Sequence, residues 1–347
     1  MTAASLDEFP ELAGQAAPPR PSLWEFVQDS GLQCLVICAS KNPNSKITIL
    51  LVSPSTGQAL LAVKVPTTDV AARAVEAEGR MLVDLRRRMP GAIETIPAVV
   101  DMVDFDGRPG IVTSAVQGTP MTTAYLRWRH TARPQTVAAD FATVDRWLTA
   151  LHQGTAAERA PLDMDGGVVA RLTSRFGNDV DSEDTLARLA DVHARLQENV
   201  TPRTAVHGDL WFGNVLVSQG QASGVVDWEA GATSGEPVRD VVRFALMYAL
   251  FLDRRTRAGR SVAGHQGLRA GRWGAGVEYA LDANGWFPDL FRRFVRESLS
   301  RLGASPDSWR DAALAGIAEV AAFADHEEFA HLHLELFRRL VLKWGSL

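Results

Sequence analysis

Hydrophobic and polar positions near the start of the chain alternate as they do in β-strands. Three short apolar runs, each followed by polar turn residues, lie at positions 35–38, 47–52 and 59–65. A further pair of runs, at 98–105 and 111–115, is divided by Asp106 and Gly107, which is a hairpin signal. Between these groups, residues 71–88 carry apolar side chains at helical spacing. This part of the chain is therefore predicted to form an antiparallel sheet with one helix.

After this hairpin the apolar spacing changes to that of helices. Segments with apolar residues three or four positions apart lie at 138–152, 184–196, 236–249, 290–302, 308–323 and 328–344. They are interrupted by two short apolar strands, at 215–217 and 224–226, joined by a glycine-containing turn. The sequence predicts an α+β protein, with a small antiparallel-sheet lobe over residues 23–115 and a larger, mostly helical lobe over residues 116–347. Residues 1–22, rich in Ala, Pro and acids, are expected to form a mobile tail.

Composition narrows the class of protein. The 347 residues are 46% hydrophobic and 22% charged, as in an ordinary globular enzyme, and the net charge of -5 argues against nucleic acid as a partner. The chain shows no secretory signal, and its longest apolar run is too short to cross a bilayer, so we expect no membrane partner. Cys34 and Cys38 would lie roughly 13 Å apart in a strand, too far for a disulfide, and are expected to be buried hydrophobes. Few cysteines fit a reducing cytoplasm.

The strongest candidate chemistry lies between residues 205 and 240. His207, Asp209 and Asn214 precede the first short strand of this region, and Asp227 follows the second. A hairpin would bring Asp227 back beside Asp209 and Asn214, so that two carboxylates and one amide oxygen converge. Such oxygen ligands suit Mg²⁺, which often shares its coordination shell with phosphate oxygens. Phosphoryl transfer also requires a carboxylate that accepts the proton of the attacking hydroxyl.

The order HxD, an Asn five residues later and a strand ending in Asp matches a kinase catalytic loop. Here HGDLWFGN together with VVDWE resembles the aminoglycoside phosphotransferase and choline kinase family. The resemblance implies a bilobal protein-kinase-like fold, Asp209 as the catalytic base, and Asn214 and Asp227 as ligands of Mg²⁺. It also implies ATP as the phosphoryl donor, with GTP left open, and a small-molecule hydroxyl as the acceptor.

The resemblance also assigns the contacts of Lys64 in the small lobe. Lys64, in AVKV, is unfavourable to bury unless it meets an anion, and the family pattern makes it a phosphate-binding lysine. The E-x-x-x-L spacing to Leu82 makes Glu78 its expected partner, with Glu76 as the alternative.

The phosphate-covering loop and the linker between the lobes complete the expected nucleotide site. The segment 40–46 has no glycine, unlike the G-x-G-x-x-G of protein kinases, so Ser40 and Ser45 are expected to face the phosphates. Backbone groups from Ser114 to Val116 are expected to contact the adenine edge. The arginine-rich segment 254–272 is interpreted either as a solvated loop or as a lid over an anionic acceptor.

Two hypotheses of different classes follow from these residues. In the first, the chain is a magnesium-dependent phosphotransferase acting on an aminoglycoside, another sugar, an amino alcohol or a macrolide. In the second, it is a weakly active or inactive nucleotide-binding protein that has kept the fold, which the glycine-free loop favours. A protein kinase is less favoured, because no APE-like segment follows Asp227. The acceptor and the oligomeric state are left open.

Overall fold

The fold is seen in a computed structural model, which describes residues 20–39, 43–88, 93–177, 180 and 184–344. Ser40, expected to face the phosphates, lies outside the described residues.

An antiparallel sheet and two helices form the N-terminal lobe. These elements are α1 (Leu23–Ser30), β1 (Gln33–Ala39), β2 (Lys46–Val52), β3 (Ala59–Pro66), α2 (Asp69–Arg88), β4 (Val99–Phe105) and β5 (Arg108–Ser114). The strands pair in the order β1-β2-β3-β5-β4, and every pairing is antiparallel. Helix α1 begins with a capping box in which Ser22 and Glu25 satisfy each other's backbone N–H groups.

The helical periodicity of α2 determines on which face of the helix the Glu78 carboxylate lies. Val75, Glu78, Leu82 and Leu85 follow one another at intervals of three or four residues, and all four are buried. Residues at this spacing share one face of a helix, and α2 packs against β3 and β5. Glu78 is therefore carried into the apolar interface, whereas Glu76 is only half-buried. A carboxylate placed there needs a counter-charge from the sheet.

The outer strand β1 is more exposed than its apolar sequence indicates. Leu35, Val36 and Ile37 are 54%, 62% and 50% exposed, and Cys34 is exposed as well. The expectation that Cys34 is a buried hydrophobe is therefore wrong. The physical reason is that β1 lies at the edge of the sheet away from the helices, since α1 packs against β4 and α2 packs against β3, β4 and β5.

Helices dominate the rest of the chain. They are α3 (Met121–Tyr125), α4 (Pro134–Thr155), α5 (Val168–Phe176), α6 (Thr185–Gln197), α7 (Val238–Leu250), α8 (Ala275–Asp282), α9 (Trp286–Leu302), α10 (Trp309–Phe323) and α11 (Glu327–Trp344). Helix α10 is buried on most of its sides and packs against α5, α6, α7 and α11, which makes it the centre of this lobe. The predicted α+β architecture, a small antiparallel-sheet lobe and a larger helical lobe, is confirmed. Among the helices of the described residues, none is long and apolar enough to span a membrane.

Short strands in the helical lobe position the candidate site. They are β6 (Thr119–Pro120), β7 (Arg159–Pro161), β8 (Val200–Pro202), β9 (Thr204–Val206), β10 (Val215–Ser218), β11 (Gln221–Val225) and β12 (Ala232–Gly235). β10 and β11 form the predicted hairpin, with Val215 opposite Val225. Asn214 directly precedes β10 and Asp227 closely follows β11, so both lie at the open end of the hairpin. β6 pairs with β10, which brings the chain leaving β5 to the same place.

Candidate functional site

The loop that carries Asp209 is fixed through its backbone. Asp240, fully buried in α7, accepts the N–H groups of His207 (2.6 Å) and Gly208 (2.9 Å). His207 Nε2 donates to the Val226 carbonyl at 2.9 Å, and His207 Nδ1 accepts the Asp209 N–H at 3.2 Å. These two bonds require a proton on Nε2 and none on Nδ1, so they select one neutral tautomer of the ring. The loop therefore has a defined shape before any ligand binds.

Two residues of the site adopt a left-handed backbone. Gly208 has φ of 79°, and a Cβ added there would lie 2.1 Å from the Ala230 carbonyl oxygen. Only glycine fits such a close approach of two backbone segments. Asp227 has φ of 73°, a conformation that Asp tolerates better than most residues.

Arg243 holds one oxygen of the Asp209 carboxylate. Its Nε and Nη2 donate to Asp209 Oδ1 at 3.1 Å and 2.5 Å. No donor among the described residues contacts Oδ2, and the Asp209 side chain is 35% exposed. One carboxylate oxygen thus stays available to an incoming hydroxyl. Sequence analysis missed Arg243; its signal is its position three residues after Asp240 in α7, one helical turn further on.

Lys64 connects the sheet to the helical lobe. Its Nζ lies 2.7 Å from both carboxylate oxygens of Glu78 and 2.8 Å from Asp227 Oδ1. The backbone N–H of Trp228 also donates to Glu78 Oε1, at 3.2 Å. Glu78, and not Glu76, is thus the helix residue that contacts Lys64.

The charges of this cluster stabilise one another. Burial alone would lower the pKa of Lys64, but the Glu78 and Asp227 carboxylates outweigh it and raise that pKa. Burial alone would raise the pKa of Asp227, but the ammonium groups of Lys64 and Lys46 hold it well below its usual range. Both groups are therefore charged at neutral pH.

A second lysine, Lys46, enters the same cluster. It is buried, with its Nζ 3.8 Å from Asp227 Oδ1 and in an ion pair with Glu229. Asn44 Nδ2 donates to the other oxygen of Glu229 at 3.0 Å. Burial lowers the pKa of Lys46, and the nearby Asp227 carboxylate opposes this effect.

Sequence analysis also missed Lys46, because its position depends on strand register. β2 and β3 pair so that Thr48 lies opposite Lys64. Lys46 is two residues before Thr48, and residues two apart point to the same face of a strand. Both ammonium groups therefore emerge from one face of the sheet.

Oxygen donors suited to a hard cation gather at the open end of the hairpin. Carboxylate oxygens of Glu78, Asp227 and Glu229 lie within 4.8 Å of one another. Asn214 Nδ2 donates to the Asp209 carbonyl at 3.0 Å, which leaves Asn214 Oδ1 without a donor among the described residues. This set of carboxylates and one amide oxygen fits Mg²⁺.

The other residues predicted to contact the nucleotide, Ser45, Ser114 and Val116, differ in whether they already form hydrogen bonds within the protein. Ser45 Oγ accepts from Thr67 Oγ1 at 2.8 Å, so it is engaged inside the small lobe. The Ser114 N–H donates to the Ala98 carbonyl at 2.8 Å, and Ser114 Oγ accepts the Ala98 N–H at 2.9 Å. The Ser114 amide is thus occupied by the sheet. Among the described residues, none forms a hydrogen bond with the backbone of Val116.

A cavity of about 550 Å³ opens beside Asp209. Besides Asp209, its lining includes the acids Glu229, Glu319 and Asp325, with Arg243 as its arginine. Burial raises the pKa of Glu319, although neighbouring guanidinium groups oppose this effect. The lining, which we call the acidic cavity, thus contains four carboxyl groups and one guanidinium group.

The arginine-rich segment 254–272 is a packed loop that lines no part of the acidic cavity. His265 Nε2 donates to the Thr131 carbonyl, and Trp286 Nε1 donates to the Gly264 carbonyl, both at 2.8 Å. These bonds attach the loop to the turn after α3 and to the start of α9. Of the two interpretations left open by the sequence, the geometry favours the loop.

The family that matches the sequence is described as the phosphotransferase enzyme family, over residues 50–273. No curated protein matches the chain.

Three solved structures illustrate the similarity of fold. One is a thermostable mutant of aminoglycoside phosphotransferase APH(4)-Ia in a ternary complex with AMP-PNP and hygromycin B. Its sequence identity to this chain is 14%, the alignment covers 94% of this chain and 99% of that chain, and the TM-score is 0.57. Another is the streptomycin-ATP-APH(2")-IIa ternary complex, at 14% identity, 91% and 95% coverage and a TM-score of 0.52. A third is an ethanolamine kinase from Plasmodium vivax, at 11% identity, 92% and 85% coverage and a TM-score of 0.52. These likenesses confirm the bilobal protein-kinase-like fold.

Proposed function

Because the chain belongs to the phosphotransferase enzyme family and is a small-molecule kinase, we propose that it phosphorylates a hydroxyl of an amine-bearing small molecule. ATP is the proposed donor, with GTP as the alternative, and Asp209 is the proposed base. The observation that carries this proposal is that Asp209 lines the acidic cavity together with Glu229, whose carboxylate lies within 4.8 Å of those of Glu78 and Asp227.

The donor half of the proposal uses the charged cluster. Lys64, fixed by Glu78, would bind phosphate oxygens, and Asn214 with Asp227 would hold Mg²⁺. When bound, this cation would neutralise charge on the transferring phosphate. Structural neighbours in complex with AMP-PNP and with ATP support a nucleotide donor. Because Lys46 reaches the same carboxylates, we propose it as a second phosphate-binding cation, in place of the glycine-rich loop.

Adenine recognition falls to Val116 in this proposal. Its backbone lies in the linker between the lobes and has no hydrogen-bond partner among the described residues. The Ser114 amide and the Ser45 hydroxyl, which the sequence also favoured, already have partners within the small lobe. Their assignment to the nucleotide is therefore weaker than that of Val116.

The acceptor half rests on Asp209 and the acidic cavity. Arg243 occupies Oδ1 of Asp209, so Oδ2 is the oxygen that would receive the proton of the acceptor hydroxyl. Asp325, which has no ion-pair partner among the described residues, would attract an ammonium group on the rest of the acceptor, whereas Glu229 and Glu319 already pair with Lys46 and Arg239. Neighbours named as aminoglycoside phosphotransferases and an ethanolamine kinase agree with such an acceptor. The cytoplasm is the proposed compartment, where ATP is available.

An ATP-consumption assay over amino sugars, amino alcohols, neutral sugars and nucleosides tests the proposal. We expect magnesium-dependent turnover with amine-bearing acceptors, and none for the same acceptors with Asp209→Asn. Equal turnover of neutral sugars would contradict the acceptor class.

The second hypothesis, nucleotide binding without turnover, has one observation in its favour. Arg243 donates two hydrogen bonds to Asp209 Oδ1, so one of the two oxygens of the proposed base is already engaged. Binding of Mg²⁺–ATP without consumption across the whole acceptor panel would support this hypothesis.

A further inference from the structure

A second cavity, of about 500 Å³, lies between the turn after α3 and the beginning of the segment 254–272. Four arginines line it: Arg127, Arg129, Arg254 and Arg255. Its lining contains no Asp or Glu, whereas the acidic cavity contains both beside its arginine. We call it the basic cavity.

The four guanidinium groups have no carboxylate partners among the described residues. Arg255 Nη1 donates to the Leu126 carbonyl, and Arg254 lies over the ring of Phe251 at 5.2 Å. Some other arginines of the described residues are paired with acids, as Arg195 is with Asp311 at 2.7 Å. The chain has a net charge of -5, so acids are plentiful, yet none lines this cavity. A local excess of like charge attracts anions.

The apolar part of the lining restricts which anion fits. Trp128 is 85% exposed at the cavity, and Tyr125, Phe251, Leu252 and Val262 contribute further apolar surface. Guanidinium groups bind phosphate oxygens in pairs, and aromatic rings bind flat apolar groups. The combination suits a phosphate ester with an aromatic body better than a bare inorganic ion.

The walls of the cavity are held together by contacts outside it. His265 and Trp286 attach the segment 254–272 to its neighbours, as described above. The backbones of Gly264 and Ala132 pack so closely that a Cβ on Gly264 would lie 2.3 Å from the Ala132 carbonyl oxygen. Walls that are already fixed lose little entropy when a ligand binds.

We propose that the basic cavity binds a small phosphate ester with an aromatic body, at a site distinct from the one that contains Asp209. A layer of aromatic rings separates the two sites. Trp211 borders the acidic cavity, and its ring lies 6.2 Å from that of Phe251, which borders the basic cavity. This inference does not depend on the proposed phosphotransfer.

Calorimetric titration with phenyl phosphate tests the site, with benzyl alcohol as the uncharged match. The test variant is Arg254→Gln/Arg255→Gln. The matched control is Arg257→Gln/Arg260→Gln, which removes the same charge from the same segment but outside the cavity lining. We expect saturable binding to the wild type, a loss of at least about tenfold in the test variant, and a change below about twofold in the control.

Further measurements keep the test decisive. If the first variant misfolds, Arg127→Gln/Arg129→Gln removes the other two charges and should weaken binding equally. Saturating adenosine, which has no phosphate, should leave phenyl phosphate binding unchanged; competition would move the ester to the nucleotide cleft and overturn the proposal. Equal weakening in test and control variants, binding of benzyl alcohol as tight as that of the ester, or no saturable binding would also overturn it.

Discussion

The two halves of the phosphotransfer site are held in place by different kinds of contact. The loop carrying Asp209 is fixed by Asp240 and His207, which bond backbone groups and are not themselves proposed to touch a substrate. The small-lobe half is held by its own ligand-binding groups, since Lys64 and Lys46 pair with Asp227 and Glu229. In the proposed function the first half is preorganised, whereas the second would have to exchange partners when a nucleotide binds. Substitutions in the two halves should therefore alter different steps.

The largest effect is expected from Asp209→Ala in the preorganised half. Removing the proposed base should lower kcat by about 10²–10⁴-fold, the contribution typical of general base catalysis. Affinity for Mg²⁺–AMP-PNP should stay close to that of the wild type, measured by calorimetry. Turnover at the wild-type rate would show that the base has been assigned wrongly.

Asp227→Ala should act on binding in the exchanging half. It removes a proposed ligand of Mg²⁺, so affinity for the magnesium nucleotide should fall at least about tenfold. The nucleotide is titrated both in magnesium and in EDTA. The loss of affinity should appear in magnesium and not in EDTA. Unchanged affinity in magnesium would exclude Asp227 from the metal site.

Lys46→Gln should weaken triphosphate binding by about tenfold, since it removes one charge from the phosphate pocket. Adenosine affinity should not change, and this separates a phosphate contact from a purely structural role. Lys343→Gln, which removes an exposed partner of Asp282 on α11, is the matched control. Equal losses for adenosine and AMP-PNP would mean that Lys46 only supports the fold.

The smallest effect is expected from Arg243→Gln. A partly exposed ion pair contributes at most about 1 kcal/mol, so kcat should fall by about two- to fivefold with nucleotide KM unchanged. A rise in turnover would contradict this expectation. It would show that Arg243 restrains Asp209, and would favour the weakly active alternative.

The same division explains how far the sequence could predict the site. A single local hairpin connects the segments that carry Asp209, Asn214 and Asp227. Their proximity could therefore be predicted from the sequence. Glu78 was also readable, because helical periodicity alone places it with Val75 and Leu82.

What the sequence missed depends on contacts between distant segments. Lys46 joins the cluster only through the register of β2 against β3, and Arg243 only through the orientation of α7 against the loop. The sequence shows that Ser45 and Ser114 can form hydrogen bonds, but it does not show that Thr67 and Ala98 are their partners. The exposure of Cys34 depends on which strand forms the edge of the sheet, and strand order is a tertiary property.

The bond from the Trp228 amide to Glu78 has a consequence for control of activity. It attaches the middle of α2 to the helical lobe, and Arg88 Nη1 attaches its end by donating to the Thr233 carbonyl at 3.3 Å. Swinging this helix outward would separate the buried Glu78 carboxylate from Lys64 and from the Trp228 amide, and would leave Lys64 paired with Asp227. An inactive conformation of that kind is disfavoured here, so we expect the rate of turnover to depend on the concentrations of the two substrates.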